Sequence, residues 1–188
     1  MREIVRKTMH LSAGIALALL VYYDLFSLKL FIPVLALGVV LSILSRKHDL
    51  PIVSWLLDSY ERPDNRRIFP GKGAVALLAG SILAVILFDR ITAFVSILIL
   101  AIADSVSHIV GKYAGRNAHF FNKRKMVEGT IAGIILASIV AAFFIHPLKS
   151  VIVSSVAMFF EIFEHKLLDD NVTIPLIVGT SLKVLAFW

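Results

Sequence analysis

Long apolar segments recur along almost the whole chain, and they limit what it can fold into more than any other feature. A run of about 20 apolar residues can cross a bilayer as a helix, so 188 residues leave room for about six or seven crossings and no sizeable soluble domain. The composition, 59% hydrophobic and 17% charged, also lies outside the usual range of soluble domains. We therefore predict an all-α polytopic membrane protein with a single integral membrane domain, 1–188, and seven spans at about residues 10–27, 30–44, 73–88, 91–111, 129–145, 148–163 and 171–187.

The basic residues predict the orientation of these spans. When Lys and Arg are counted loop by loop, 15 fall on the side of the N-terminus, three fall on the other side, and Lys183 lies inside the last predicted span. Cytoplasmic loops are enriched in Lys and Arg, so we expect a cytoplasmic N-terminus and, after seven spans, a C-terminus outside. The expected location is a cell membrane crossed many times, with a prokaryotic plasma membrane favoured.

One long loop, residues 45–72, interrupts the compact pattern. Asp49 and Pro51 suit the start of a helix, and the apolar residues that follow fall on one helical face. This pattern predicts an amphipathic helix at about residues 50–60 that lies in the cytoplasmic interface. A surface anchor is the favoured interpretation, and a lid over a site is the alternative.

A polar stripe lies in the fourth predicted span. Asp104, His108, Gly111 and Gly115 recur at i, i+4, i+7 and i+11, which places them on one helical face. A carboxylate inside a span is costly and often functional, so we interpret Asp104 as a functional group that binds Mg²⁺, with a base role toward a lipid hydroxyl as a second option. Simple pairing with a neighbouring helix is the structural alternative. For the two glycines alone, a GxxxG packing face is favoured. His108 fits a polar partner better than a metal ligand.

A basic loop follows the stripe. It contains Arg116 and Lys123-Arg124-Lys125, and Glu128-Gly129-Thr130 then opens the fifth predicted span. Cations beside a helix N-terminus suit a polyphosphate, although a cytoplasmic loop can be basic for topology alone. Glu128 favours the phosphate site, because an acid among phosphate-binding cations can hold Mg²⁺.

Further polar patches fall on the same predicted face. Arg6, Lys7 and His10 lead into the first span and Lys72 into the third, while Glu161, Asp170 and Asn171 flank the start of the seventh. The acidic residues at the start of the seventh span also fit ordinary helix capping. The chain has no cysteine, which excludes disulfides, thiolate nucleophiles and cysteine metal sites.

In chain order, these patches resemble the CTP-dependent lipid-alcohol kinase family, which includes dolichol kinase, phytol kinase and the fungal type of diacylglycerol kinase. The resemblance covers nearly the whole chain. The family usually has Lys-Ser in its basic-loop motif, where this chain has Lys125-Met126. The residues that carry the resemblance are Arg6-Lys7 with His10, Gly73, Asp104 with Gly111 and Gly115-Arg116, Lys125 with Glu128-Gly129, and Glu161 with Asp170-Asn171 and Pro175.

The resemblance implies transfer of the γ-phosphate of CTP to the hydroxyl of a membrane lipid alcohol at the cytoplasmic face. An isoprenoid alcohol such as dolichol, phytol or geranylgeraniol is favoured over diacylglycerol, and the preference for CTP over ATP comes from the resemblance alone. The expected cofactor is Mg²⁺. The expected partners are CTP, the lipid alcohol and the bilayer, with no nucleic acid and with a homodimer through GxxxG faces as an option.

These expectations define a set of candidate site residues. Asp104, Lys125 and Glu128 are the catalytic candidates, and Asp104, Glu128 and Asp170 are the candidate metal ligands. The nucleotide-binding candidates are Arg6, Lys7, Lys72, Gly111, Gly115, Arg116, Lys123 and Asn171, with His10, His108 and Glu161 as further polar candidates.

Two other functions stay open at this point. A CDP-lipid cytidylyltransferase would also use CTP, but such enzymes carry a C-terminal Gly-Gly-x-x-Asp-Arg-x-Asp style signature, and this chain reads Asp-Asp-Asn-Val-Thr-Ile-Pro there. A small transporter would be expected to show two related halves and polar groups near the membrane midplane. No repeat is visible, and the polar residues cluster on one face.

Overall fold

Helices make up nearly all the regular structure in the computed structural model, which describes residues 2–46, 48, 69–163 and 169–186. Within these ranges there is no strand, only an isolated antiparallel bridge between Ala118 and Met126. The all-α class is therefore confirmed, and the helix predicted at 50–60 lies outside the described residues. The helices are α1 (Arg2–Tyr22), α2 (Leu28–Leu44), α3 (Lys72–Leu87), α4 (Arg90–Ala114), α5 (Val127–Ala141), α6 (Pro147–Ile162) and α7 (Asp170–Ala186).

The helices differ most from the predicted spans at α1 and α5. The span predicted at 10–27 corresponds to a helix that begins at Arg2 and ends at Tyr22, because its charged residues find partners inside the bundle. Just beyond its end, Asp24 adopts a left-handed conformation with φ 60°, which Asp tolerates better than most residues. The span predicted at 129–145 corresponds to a helix that ends at Ala141.

Helix α4 is the centre of the bundle. It packs against α1, α3, α5, α6 and α7, and its residues 93–103 are all buried. A helix that is apolar on every side belongs in the interior of a bundle or in a bilayer. Helix α2 lies at the periphery, where it packs mainly against α3.

Helix length supports membrane association for two helices of the described chain. Glu3–Tyr22 and Arg90–Ala114 are long and apolar enough to cross a bilayer. Leu28–Leu44, Lys72–Leu87 and Val127–Ala141 are apolar but shorter. At 1.5 Å per residue they are about 22–26 Å long, below the hydrocarbon thickness of about 30 Å. Helix length by itself therefore does not establish seven crossings.

Glycines bring α4 and α5 into backbone contact. A Cβ atom added at Gly129 would lie 2.2 Å from the Ser107 carbonyl oxygen and 2.9 Å from the Gly111 Cα atom. At Gly133 it would lie 3.0 Å from the Ala103 carbonyl oxygen. Gly111 therefore packs against Gly129 within one chain, whereas Gly115 lies against Gly111 and Met126. The homodimer through GxxxG faces stays a prediction.

Replacing Gly129 by Ala is expected to lower stability by about 1–3 kcal/mol, because the methyl group has no room between two backbones. Gly73→Ala is the matched control, since nothing lies within 4 Å of a Cβ atom added there. Thermal unfolding in detergent measures both variants. Equal melting temperatures would contradict the close contact between α4 and α5.

Candidate functional site

The polar residues meet at one end of the bundle. Ion pairs place the N-terminal ends of α1, α3, α5 and α7 beside the C-terminal ends of α4 and α6. Two interactions show this convergence: Lys7 contacts Asp104 with an N–O distance of 2.7 Å, and Lys125 contacts Glu161 at the same distance. Lys72 contacts Asp169 at 3.2 Å, which adds α3 and the start of α7.

Asp104 is held by two residues of α1. The Lys7 ammonium group donates hydrogen bonds to both carboxylate oxygens, at 2.8 and 2.7 Å. His10 Nε2 lies 3.6 Å from Asp104 Oδ2. Lys7 is buried, so a loop cation expected at the nucleotide is instead the counter-charge of a buried carboxylate. An unpaired charge is costly to bury, so removal of either Lys7 or Asp104 would destabilise the protein through the charge that remains.

A second ion pair joins the basic loop to α6. Lys125 Nζ lies 2.7 Å from Glu161 Oε1 and 3.7 Å from Asp170 Oδ2, and the Ser107 hydroxyl donates to Glu161 Oε1 at 3.2 Å. Burial alone would lower the pKa of Lys125, but Glu161, followed by Asp170 and Asp104, raises it above its usual value. Glu161 is 1% exposed, and its Oε2 atom has no hydrogen-bond partner within the described chain.

A cavity of about 380 Å³ opens beside this second ion pair. It lies between the end of α4, the basic loop, the start of α5 and the end of α6. Three cations line it, and Glu161 is the carboxylate among the described lining residues. The lining consists of Ser107, His108, Gly111, Lys112, Gly115, Arg124, Lys125, Met126, Thr130 and Glu161.

The basic loop is a short hairpin. His119 N–H donates to the Lys125 carbonyl at 2.9 Å, and Val127 N–H donates to the Asn117 carbonyl at 2.8 Å. The His119 ring contacts the Thr130 hydroxyl at 2.8 Å, which fixes the hairpin to the first turn of α5. This geometry directs Lys125 toward α6.

Glu128 closes the base of the hairpin. Its carboxylate accepts hydrogen bonds from the Asn117 backbone N–H at 3.1 Å and from the Asn117 side chain at 2.7 Å. The residue therefore organises the loop, which is a different position from the metal ligand that the sequence predicted.

The predicted metal ligands do not converge. Asp104 is paired with Lys7, Glu128 with Asn117, and Asp170 lies near Lys125. In the described part of the chain, no group of three or more His, Asp or Glu residues could hold a metal ion. Among the described residues, the three predicted ligands therefore do not form a preformed metal site, and Mg²⁺ as the cofactor stays a prediction.

The other candidates separate into residues inside and outside the cavity. Gly111, Gly115 and His108 line it, while Arg116 and Lys123 are exposed in the hairpin outside its lining.

Two further candidates contact neighbouring acids away from the cavity. Arg6 pairs with Glu3 at 2.6 Å. Asn171 donates to Asp169 Oδ1 from its backbone, at 3.1 Å, and from its side chain, at 2.8 Å, so it shapes the start of α7.

Sequence reasoning missed several contributors. Arg124 lines the cavity, whereas the sequence had indicated Lys123. Ser107 donates a hydrogen bond to Glu161. It follows Asp104 by three positions and so lies on the same helical face, a spacing that could have identified it as a site residue. The contact between His119 and Thr130 has no sequence signal, because it depends on how the hairpin folds back.

Comparison with known proteins gives a relative without an assigned activity. The chain is 34% identical over 184 residues to the uncharacterized protein MJ1137 of Methanocaldococcus jannaschii, and the match covers 95% of this chain and 92% of that protein. No protein-family profile and no solved structure matches the chain.

Proposed function

This chain belongs to the family of the Methanocaldococcus jannaschii protein, and we propose that it is a membrane-embedded kinase that transfers the γ-phosphate of CTP to the hydroxyl of a membrane lipid alcohol. One observation carries the proposal: a cavity lined by Lys112, Arg124 and Lys125 lies against a buried ion pair at one end of an apolar bundle. The choice of CTP and of an isoprenoid alcohol follows the family resemblance.

The cavity suits the phosphates of a nucleotide. Its volume of about 380 Å³ is in the range of small-molecule pockets, about 300–1,000 Å³. Phosphoryl transfer depends mainly on positioning and on cations that stabilise the phosphate charge, and the three lining cations supply that charge. Glu161 is the carboxylate among the described lining residues, and we assign it as the acceptor of the proton from the lipid hydroxyl. Mg²⁺ would enter with the nucleotide phosphates, as Mg²⁺ commonly does in such sites.

We propose that all seven helices of the described chain cross the membrane, with the site at the cytoplasmic face and the C-terminus outside. The outer surfaces of the short helices support this arrangement, since Leu37, Ile86 and Ile139 are each more than half exposed. Soluble proteins rarely expose such large apolar areas. Short spans are accommodated by local thinning of the bilayer at modest cost.

Single cysteines can test this topology, because the native chain has none. Lys123 and Leu148 are exposed near opposite ends of the bundle. A cysteine at position 123 is expected to react only after the cytoplasmic side is opened, and one at 148 to react from outside. Ser150, although near Leu148, is buried and would report poorly. Labelling of position 123 from outside in intact cells would contradict the orientation.

Arg124→Gln is expected to raise the KM for CTP about tenfold, because a charge-assisted contact to phosphate is lost. Lys123→Gln is the matched control, since Lys123 belongs to the same hairpin but does not line the cavity. Its KM for CTP should stay within about twofold of the parent value. A rise in the KM for the lipid instead, in both variants, would assign these cations to the bilayer surface.

Turnover by the purified protein tests the function itself. Geranylgeraniol, phytol, dolichol and diacylglycerol are offered in detergent with Mg²⁺ and either CTP or ATP. Release of CDP with formation of a lipid phosphate is the expected result. Release of pyrophosphate would indicate a cytidylyltransferase, and no turnover with any lipid would contradict the kinase and favour the transporter.

A further inference from the structure

Five phenylalanines form a continuous aromatic row from the hairpin tip to the outside of α6. The ring centroids of Phe120 and Phe121 are 5.3 Å apart, and Phe121 lies 5.4 Å from Phe163. Phe163 lies 5.1 Å from Phe159, which lies 5.9 Å from Phe160. The hairpin is therefore connected by ring contacts to an apolar helix surface outside the cavity.

The hairpin tip has a defined shape. Asn122 donates from its side chain to the Ile162 carbonyl at 3.1 Å, which ties the tip to the end of α6. The Asn122 side chain also accepts from the Arg124 N–H at 3.1 Å, and its carbonyl accepts from the Lys125 N–H at 3.0 Å. A turn held in this way presents its neighbouring side chains in fixed positions.

That fixed tip exposes two aromatic rings beside a cation. Phe120 is 90% exposed and Phe121 is 73% exposed, and Lys123 is also exposed. The row continues onto Phe159 and Phe160, which are exposed on α6. Aromatic rings next to basic side chains are typical of segments that lie at the boundary between headgroups and acyl chains.

We propose that the hairpin tip, residues 120–123, inserts into the cytoplasmic leaflet of a bilayer that carries anionic lipids. Phe120 and Phe121 enter the boundary of the acyl region, and Lys123 contacts an anionic headgroup. The returning segment of the same hairpin holds Lys125 at the cavity, so the docked tip fixes the cavity at headgroup depth. This inference rests on the membrane placement of the proposed function.

A fluorescent probe on a cysteine at position 120 tests the insertion. The chain is reconstituted into vesicles of phosphatidylcholine with or without phosphatidylglycerol, and nitroxide lipids and aqueous iodide serve as the two quenchers. Ala118→Cys is the matched control, because Ala118 is exposed in the paired part of the same hairpin. Nitroxide lipid should quench position 120 about twofold or more above position 118, iodide should show the reverse order, and phosphatidylglycerol should increase the difference.

The possible outcomes distinguish insertion of the hairpin tip from the placement of the whole chain in the membrane. If position 120 is quenched by iodide as strongly as position 118 while the chain resists carbonate extraction, insertion is wrong and the membrane placement stands. If carbonate extracts the chain, both are wrong. Shielding of position 120 from both quenchers would mean that protein covers the tip, and would overturn the bilayer as its partner.

Discussion

Asp104→Asn is expected to lower turnover by about 10²–10³-fold, the usual effect of removing a preorganised charge from an active site. The substitution preserves the size of the side chain but removes the counter-charge of Lys7, whose ammonium group contacts both carboxylate oxygens. A buried cation then remains unpaired, at a cost of about 3–5 kcal/mol in stability. Turnover and the melting temperature are both measured.

A double variant separates the two effects. Replacing Lys7 by Met together with Asp104→Asn removes both charges, so the melting temperature should recover toward that of the parent protein. Turnover should stay low, because the carboxylate is still missing. If the double variant regains near-parent activity, Asp104 has a structural effect only.

Lys125→Met should produce the second large effect. It leaves the Glu161 carboxylate, which is almost fully buried, without its closest cation. The expected cost is again about 3–5 kcal/mol of stability. Because Lys125 also lines the cavity, turnover with CTP should fall by about 10²–10³-fold.

Glu161→Gln provides the matched comparison. Combined with Lys125→Met, it removes the buried charge and should restore most of the lost stability, while turnover stays low. Glu161→Gln alone keeps the lining cation but removes the proposed proton acceptor, so it should lower turnover with little change in the KM for CTP. A large rise in that KM instead would show that Glu161 acts by orienting Lys125.

The positions of the helices could be predicted from the sequence, because each follows from an apolar run of sufficient length. The charged ends were harder to predict. Hydropathy placed the start of the first span at residue 10, yet α1 begins at Arg2, since Lys7 is stabilised inside the bundle by a residue 97 positions away. Such a pairing leaves no local signal in the chain.

The candidate site was predictable as a region and less so in detail. Asp104, Lys125 and Glu161 all lie in it, because charged residues in apolar surroundings are conspicuous in a sequence. Because of the turn in the hairpin, Arg124 faces the cavity and the adjacent Lys123 does not. The hairpin also brings Asn117 next to Glu128, so that the Asn117 side chain donates a hydrogen bond to the carboxylate. The spacing of residues in the sequence does not predict this contact.

The pairing of Lys7 with Asp104 also sets an order of events during biosynthesis. Helix α1 leaves the ribosome before α4, and the carboxylate that pairs with Lys7 follows 97 residues later. In the membrane arrangement proposed above, water or lipid phosphate at the membrane surface would solvate Lys7 until then, and its charge would contribute to orienting the nascent chain. The first helix would then reach its final depth only when α4 arrives and the ammonium group of Lys7 becomes buried.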